Sequence, residues 1–205
     1  MSLRIIAGEF RRRKLATPAG NVTRPYTDRV RQMVFDRISH LVEDARVADV
    51  FAGVGTMGLE ALSRGAHSCV FFEADRVVHQ HLKENVQTIA SQRETLCWKT
   101  DIHRTSFCPT GAEECLPYDL VFFDPPYEQA PLLNNGGVLS RCMARLSKPR
   151  ATDINATVLL RTPDRFDLES QEGWRTADCW HLSSMKIWVL EKSSAEQSEP
   201  EHTDA

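Results

Sequence analysis

No C-x-x-C pair occurs among the six cysteines, Cys69, Cys97, Cys108, Cys115, Cys142 and Cys179, so neither a zinc site nor a disulfide framework has its required spacing. Reduced, structural thiols are the expectation. No stretch reaches the ~18 successive apolar residues of a membrane-spanning helix. The opening MSLRIIAGEFRRRK sets Arg4 and Glu9 among its apolar positions and builds no apolar signal-peptide segment. A cytoplasmic protein without metal or membrane partner is therefore expected. With 205 residues, 41% hydrophobic and 26% charged, the chain can bury one core but leaves little for a second full domain. Monomer is the expectation at this size.

An excess of one charge sign is absent overall, since the formal net charge is −3. That balance conceals an asymmetry. Residues 1–40 carry nine Lys/Arg (Arg4, Arg11, Arg12, Arg13, Lys14, Arg24, Arg29, Arg31, Arg37) against Glu9, Asp28 and Asp36, a local +6 that leaves −9 for the rest. A basic block on an acidic body suits a phosphate-bearing partner, because Lys/Arg neutralising phosphates release counterions. A solvated charged face is the competing reading. From Glu191 onward, EKSSAEQSEPEHTDA is polar, acidic and free of aromatics, the composition of a disordered tail. The expected organisation is a basic extension over 1–26, a main domain over 27–191 and an acidic tail over 192–205.

Apolar periodicity supplies the elements between these ends. Val30, Val34, Ile38 and Leu41 after Thr27, an N-cap type, predict a helix over 28–43. Val47 to Phe51 reads as a buried strand, Gly53 to Gly58 as a glycine-rich turn, and Leu59 to Arg64 as a helix stopped by Gly65. Ser68 to Phe72, Leu96 to Thr100, Asp119 to Phe123 and Thr157 to Arg161 read as further strands. Val78, Leu82, Val86 and Ile89 mark a helix, and 132–146 reads as helical despite Gly136 and Gly137. Trp174 to His181 and Lys186 to Glu191 form a closing hairpin. Alternating strands and helices predict an α/β fold with a parallel sheet covered on both faces. Ligands bind such sheets at the carboxyl ends of the strands, where Gly53, Glu73, Asp101 and Asp124 are all predicted to lie.

The segment from Asp49 to Gly58 holds a literal G-x-G-x-x-G (Gly53, Gly55, Gly58), and Glu73 follows Gly53 by 20 residues. A carboxylate there can accept the ribose hydroxyls of an adenosine-containing cofactor. Asp49, inside the strand before the glycines, suits a cationic ligand better than a pyrophosphate. Asp101 is placed to accept from an adenine amine, or is simply a solvated turn residue.

Asp124-Pro125-Pro126-Tyr127 carries the most chemistry. Two prolines remove both backbone donors and leave carbonyl acceptors. An exocyclic amine on a base delocalises its lone pair into the ring and needs acceptors on its N–H bonds before it can attack. The Asp124 carboxylate and Pro125 carbonyl can supply these, stabilise the developing positive charge and, at Asp124, receive the proton. Tyr127 offers a stacking face.

Together these residues resemble the class I Rossmann-like methyltransferases. R-I-I-A-G-E-F-R-R-R-K-L from Arg4, R-P-Y-T-D-R-V-R from Arg24, D-V-F-A-G-V-G-T-M-G-L-E-A-L-S-R-G-A from Asp49 and F-D-P-P-Y from Phe123 resemble the RsmD family. Its members methylate the N2 amine of one guanine in bacterial small-subunit (16S) ribosomal RNA. The resemblance implies a mostly parallel seven-stranded sheet with an N-terminal β-hairpin extension, and S-adenosyl-L-methionine as cofactor. It implies that Asp49 and the loop Phe51, Ala52, Gly53, Gly55 hold the methionine part, Glu73 and Ala74 the ribose, Asp101 and Ile102 the adenine, and Asp124 to Tyr127 the guanine. RNA would be met by Arg11, Arg12, Arg13 and Lys14, with Arg24, Thr27, Asp28 and Arg31 framing the pocket and a small-subunit assembly intermediate as partner. Tyr26 and Gln32 depart from the family pattern.

Rival readings stay open at this level. A DNA adenine-N6 methyltransferase shares the D-P-P-Y chemistry but generally needs a recognition domain, and only 66 residues separate Gly58 from Asp124. A protein-glutamine methyltransferase more often has Asn at the position of Asp124. An NAD-dependent oxidoreductase is favoured by the glycine motif alone, and a non-catalytic RNA-binding protein by the basic arm alone.

Overall fold

A computed structural model describes residues 3–18 and 26–193. Seven strands form one sheet in the order β3-β2-β1-β4-β5-β7-β6. They are β1 (Arg46–Val50), β2 (Ser68–Glu73), β3 (Glu94–Lys99), β4 (Tyr118–Phe123), β5 (Thr152–Pro163), β6 (Trp174–Leu182) and β7 (Met185–Lys192). The first five run parallel and β7 is antiparallel to both β5 and β6. The mostly parallel seven-stranded sheet expected from the sequence is what forms. Chain order leaves β1 in one direction toward β2 and in the other toward β4, so a crevice opens between them at their carboxyl ends.

Two apolar layers cover the sheet. On one face Leu59 and Leu62 of α3 (Thr56–Ser63), Leu82, Val86 and Ile89 of α4 (Arg76–Ile89), and Val34 and Phe35 of α1 (Asp28–Arg37) pack together. On the other, α5 (Val138–Leu146) presents Leu139, Cys142, Met143 and Leu146 to Phe107, Tyr118 and Phe123. Strands buried on both faces read as the unbroken runs seen at Leu120 to Phe123 and Cys69 to Phe72.

Several elements differ from the sequence reading. The helix predicted over 28–43 breaks at Ile38, where the backbone leaves helical geometry, and resumes as a four-residue turn, α2 (Ser39–Val42). Thr27 does cap α1, its hydroxyl accepting the Val30 N–H at 3.2 Å. Helix α3 begins at Thr56, so Gly58 lies inside it rather than in the turn. An added Cβ on Gly58 would stand 2.4 Å from Phe71 Cε1 and 2.6 Å from Cys69 Sγ. That glycine lets α3 lie close on β2. Gly136 and Gly137 split the helix predicted over 132–146 into a 3₁₀ segment, Tyr127–Leu133, and α5, with Gly136 at φ +63°.

The N-terminal segment forms the expected hairpin, with Ile5 N–H donating to Arg13 O (2.9 Å) and Leu15 N–H to Leu3 O (2.9 Å). It is built into the body. Ile5, Phe10 and Leu15 are buried in the same core as α1, α3 and α4. Gly8, at φ +76°, presses onto the end of α3 so closely that a Cβ would lie 1.8 Å from Ser63 O. Glu60, fully buried on α3, accepts the N–H groups of Ile6 (2.9 Å) and Ala7 (3.0 Å) and the Arg64 guanidinium (2.9 Å), and pairs with Arg31 at 3.6 Å. Arg24 lies outside the described residues, as does nearly all of the acidic tail.

Candidate functional site

At the carboxyl ends of β1, β2 and β4 the register sets Val50 beside both Phe72 and Phe123. The next residues, Phe51, Glu73 and Asp124, therefore rim one crevice. The chain turns sharply there, with Phe51 at φ +64° and Gly55 at φ +88°. A cavity of about 370 Å³ lies over the turn and is lined by Asp49, Phe51, Ala52, Gly53, Glu73, Asp124, Pro126 and Arg161, among others.

Asp49 sits at the base, 2% exposed, with one carboxylate oxygen accepting the Gly58 N–H at 2.8 Å. A carboxyl group thus occupies the N-terminal turn of α3, where a dinucleotide-binding fold would seat its pyrophosphate. The literal G-x-G-x-x-G here is a turn plus a packing glycine. Burial pushes the Asp49 carboxyl up to about 8, opposed by the Gly58 N–H and assisted by Asp124 and Glu73. A cation entering the cavity would ionise it.

Glu73 accepts the Gly53 N–H (2.9 Å) and the Asp75 N–H (2.8 Å), which fixes its carboxylate at the rim. Burial raises its pKa above the ordinary value, against those two N–H groups and that of Ala74. Asn85 of α4, unnoticed in the sequence, donates to Val54 O (3.0 Å) and Ala16 O (3.1 Å) and accepts the Ala16 N–H (2.7 Å), so it ties the glycine turn to the end of the hairpin. Asp101 does not reach the cavity lining. Its carboxylate accepts the His103 N–H at 3.0 Å, while Ile102 is buried in the core. Asp75 and Val78 line the cavity on that side instead.

Asp124 is anchored through its N–H, which donates to Val50 O at 3.2 Å. Its carboxylate forms an ion pair with Arg161 at the end of β5. Burial raises the Asp124 carboxyl to about 6, against the Arg161 charge and hydrogen bond. The Arg161 guanidinium stands 4.7 Å from the Tyr26 ring centroid and 5.2 Å from that of Tyr127. Neither Arg161 nor Tyr26 was among the predicted catalytic residues. Pro126 lines the cavity, and its carbonyl is taken by the Gln129 N–H at 2.8 Å. Pro125 is buried beside it.

The predicted nucleic-acid residues divide. Arg11, Arg12 and Lys14 are exposed, and Arg11 and Arg12 line a second hollow with Arg4, Asp28 and Gln32. Arg13 is exposed too, but its guanidinium is engaged, donating to the last carbonyls of α4, Thr88 O and Ile89 O, both at 3.2 Å. Arg31 is a correction to the sequence reading. It is fully buried, donating to Arg4 O (2.6 Å) and Asp28 (3.0 Å) beside Glu60, so it braces the hairpin rather than the pocket. Thr27 serves as the α1 cap, and Asp28 bridges Arg31 and Arg4.

A crevice at the β1/β4 switch, an acidic β1 residue at its base and antiparallel β7 beside β5 are, with the sheet order, those of the Rossmann-like methyltransferase fold. Residues 3–187 match the family model described as conserved hypothetical protein 95, and the chain belongs to that family, the RsmD family of the sequence resemblance. "Ribosomal RNA small subunit methyltransferase D" of Escherichia coli strain K12 is 38% identical over 130 residues, covering 63% of each chain. The Haemophilus influenzae protein of the same description is 32% identical over 173 residues, 84% of each. The solved structure "Putative methyltransferase yhhF from Escherichia coli" superposes with a TM-score of 0.73 at 28% identity, covering 94% of this chain and 98% of that one. The match to the E. coli K12 sequence thus spans just under two thirds of that relative.

Proposed function

We propose that this chain transfers a methyl group from S-adenosyl-L-methionine to the exocyclic N2 amine of a guanine in small-subunit (16S) ribosomal RNA. The observation that carries the reading is the placement of the Asp124 carboxylate on the wall of the same cavity that has Asp49 at its base and Glu73 at its rim. The donor set fits the cofactor. Asp49 and the Phe51 to Gly55 turn would hold its methionine end, Glu73 and Ala74 its ribose, and the Asp75 and Val78 side its adenine. When bound, it supplies an electrophilic methyl carbon.

The chain's own contribution is to make a poor nucleophile competent. Asp124 and the Pro125 carbonyl accept the amine N–H bonds, which turns the nitrogen lone pair out of the ring and offsets its developing charge. Tyr127 stacks the base, and Asp124 takes the proton afterwards. Arg11, Arg12 and Lys14 face outward to engage phosphates. In this reading residues 1–26 form the RNA-facing extension, 27–191 the transferase and 192–205 a tail. A monomer acting on a small-subunit assembly intermediate in the cytoplasm completes it.

The test is transfer of radiolabelled methyl to unmethylated ribosomal RNA, assembled small subunits and duplex DNA in parallel. Label at guanine N2 in the RNA or subunits is expected, whereas label confined to DNA overturns the substrate. Asp124→Ala should abolish turnover while holding cofactor affinity within a few-fold. Near-normal turnover of that variant would remove Asp124 from the mechanism.

A further inference from the structure

Arg161 belongs to none of the motifs that point to methyl transfer, yet it is the residue most intimately joined to Asp124. The register of β4 with β5 sets Phe123 beside Leu160, so the next residue on each strand emerges at the same rim. The Arg161 side chain is 8% exposed, with its Nε paired to Asp124 Oδ1. Its guanidinium is flanked by the Tyr26 and Tyr127 rings, and both Arg161 and Asp124 line the cavity. Two aromatic faces and one carboxylate leave a planar cation little freedom to turn.

We propose that Arg161 is a positioning residue that holds Asp124 as an ionised, oriented acceptor for the target amine. The proposal rests on the reading that Asp124 serves methyl transfer. The groups acting on Asp124 are Arg161 from β5, Tyr26 ahead of α1 and Asp49 from β1, with Tyr127 beyond the prolines against the Arg161 guanidinium. Among them Arg161 is the cation. Asp49 and the two phenols, when ionised, oppose a second negative charge. Burial favours a protonated Asp124, and the Arg161 charge counters it. A protonated carboxyl offers an O–H donor where the reaction needs an acceptor, so the ionised fraction scales the rate.

The experiment compares kcat/KM for RNA at saturating S-adenosyl-L-methionine against pH for wild type, Arg161→Met and Arg161→Lys, alongside ¹³C-carboxyl NMR titration of each protein without substrate. The Asp124 resonance is identified as the one that Asp124→Asn removes. Wild type should show an acidic limb near pH 6, the value burial and Arg161 together give Asp124. In Arg161→Met the limb and the resonance should both move up by about one unit or more, lowering kcat/KM about fivefold or more at pH 6 with recovery toward pH 9. Arg161→Lys, which restores the charge, should return the limb to within about half a unit of wild type. Arg161→Gln serves should the methionine variant not fold. An unshifted limb and resonance in the neutral variants would overturn the proposal. So would faster turnover at every pH, which would make Arg161 a blocking occupant of the amine site. Absence of transfer by wild type to any RNA would instead defeat the functional reading, and the carboxyl titration would still decide the role of Arg161.

Discussion

Binding of S-adenosyl-L-methionine should release a proton from Asp49, and the size of that release follows from the site. In the ligand-free protein, burial holds the Asp49 carboxyl at about 8, so at pH 7 roughly nine molecules in ten carry it protonated. A ligand ammonium beside it favours the charged form and must drive the proton off. The ligand's own α-amino group, with an ordinary pKa near 8, takes up about 0.1–0.2 proton at pH 7 in becoming fully charged. Net release is then about 0.8 proton per binding event. Affinity should strengthen by up to tenfold per unit from pH 6 toward 7, peak near pH 8 and fall as the ligand amine deprotonates. Titration calorimetry at pH 7 in buffers of differing ionisation enthalpy measures the proton number directly. Asp49→Asn should reduce release to the small uptake by the ligand and weaken binding by about 2–5 kcal/mol, the cost of truncating one partner of a buried charge pair. A proton number near zero for wild type would refute the reasoning, because Asp49 would then keep one ionisation state throughout.

Three further outcomes follow from the packing and the surface. Glu60→Gln leaves Arg31 without its buried countercharge and points an amide N–H₂ at the Ile6 or Ala7 donor; calorimetry should find a loss of about 3–5 kcal/mol, or roughly 6–20 °C in Tm, and a loss under about 1 kcal/mol would mean the hairpin is held by its apolar contacts alone. Gly58→Ala must displace Phe71 or Cys69 and should cost about 1–3 kcal/mol in denaturant unfolding. Arg11→Ala with Arg12→Ala should flatten the slope of log affinity for RNA against log salt by about one to two units and leave cofactor binding unchanged, so an unaltered slope would place the phosphate grip elsewhere.

Legibility in the sequence tracked how local the physics was. The strands, the turn at Gly53 and the rim positions of Glu73 and Asp124 could be read because buried parallel strands and their terminal residues are written in contiguous runs. Arg161 could not, since its role comes from β5 lying beside β4, a neighbour relation that no local pattern specifies. The nearest signal was that a predicted strand ended on arginine. Nothing local in the sequence marks Glu60 for burial, because the hairpin that covers it is distant along the chain, and the same cover takes Arg31 out of the pocket edge and into the interior. Asp101, expected to close the third strand, lies two residues beyond β3 and turns its carboxylate onto its own loop.

The fastening of the hairpin to α3 bears on what shape of polymer the molecule can accept. Glu60, Ser63 and Asn85 rivet the hairpin to the helices that also carry the floor and turn of the cavity. Under the proposed function such an arm would act as a fixed jaw rather than a tether. The distance from Arg11 and Arg12 to the mouth beside Asp124 is set when the chain folds, so a strand gripped there must present its base at one offset along its length. Selectivity would then arise by measurement, as a caliper selects, before any base edge is read.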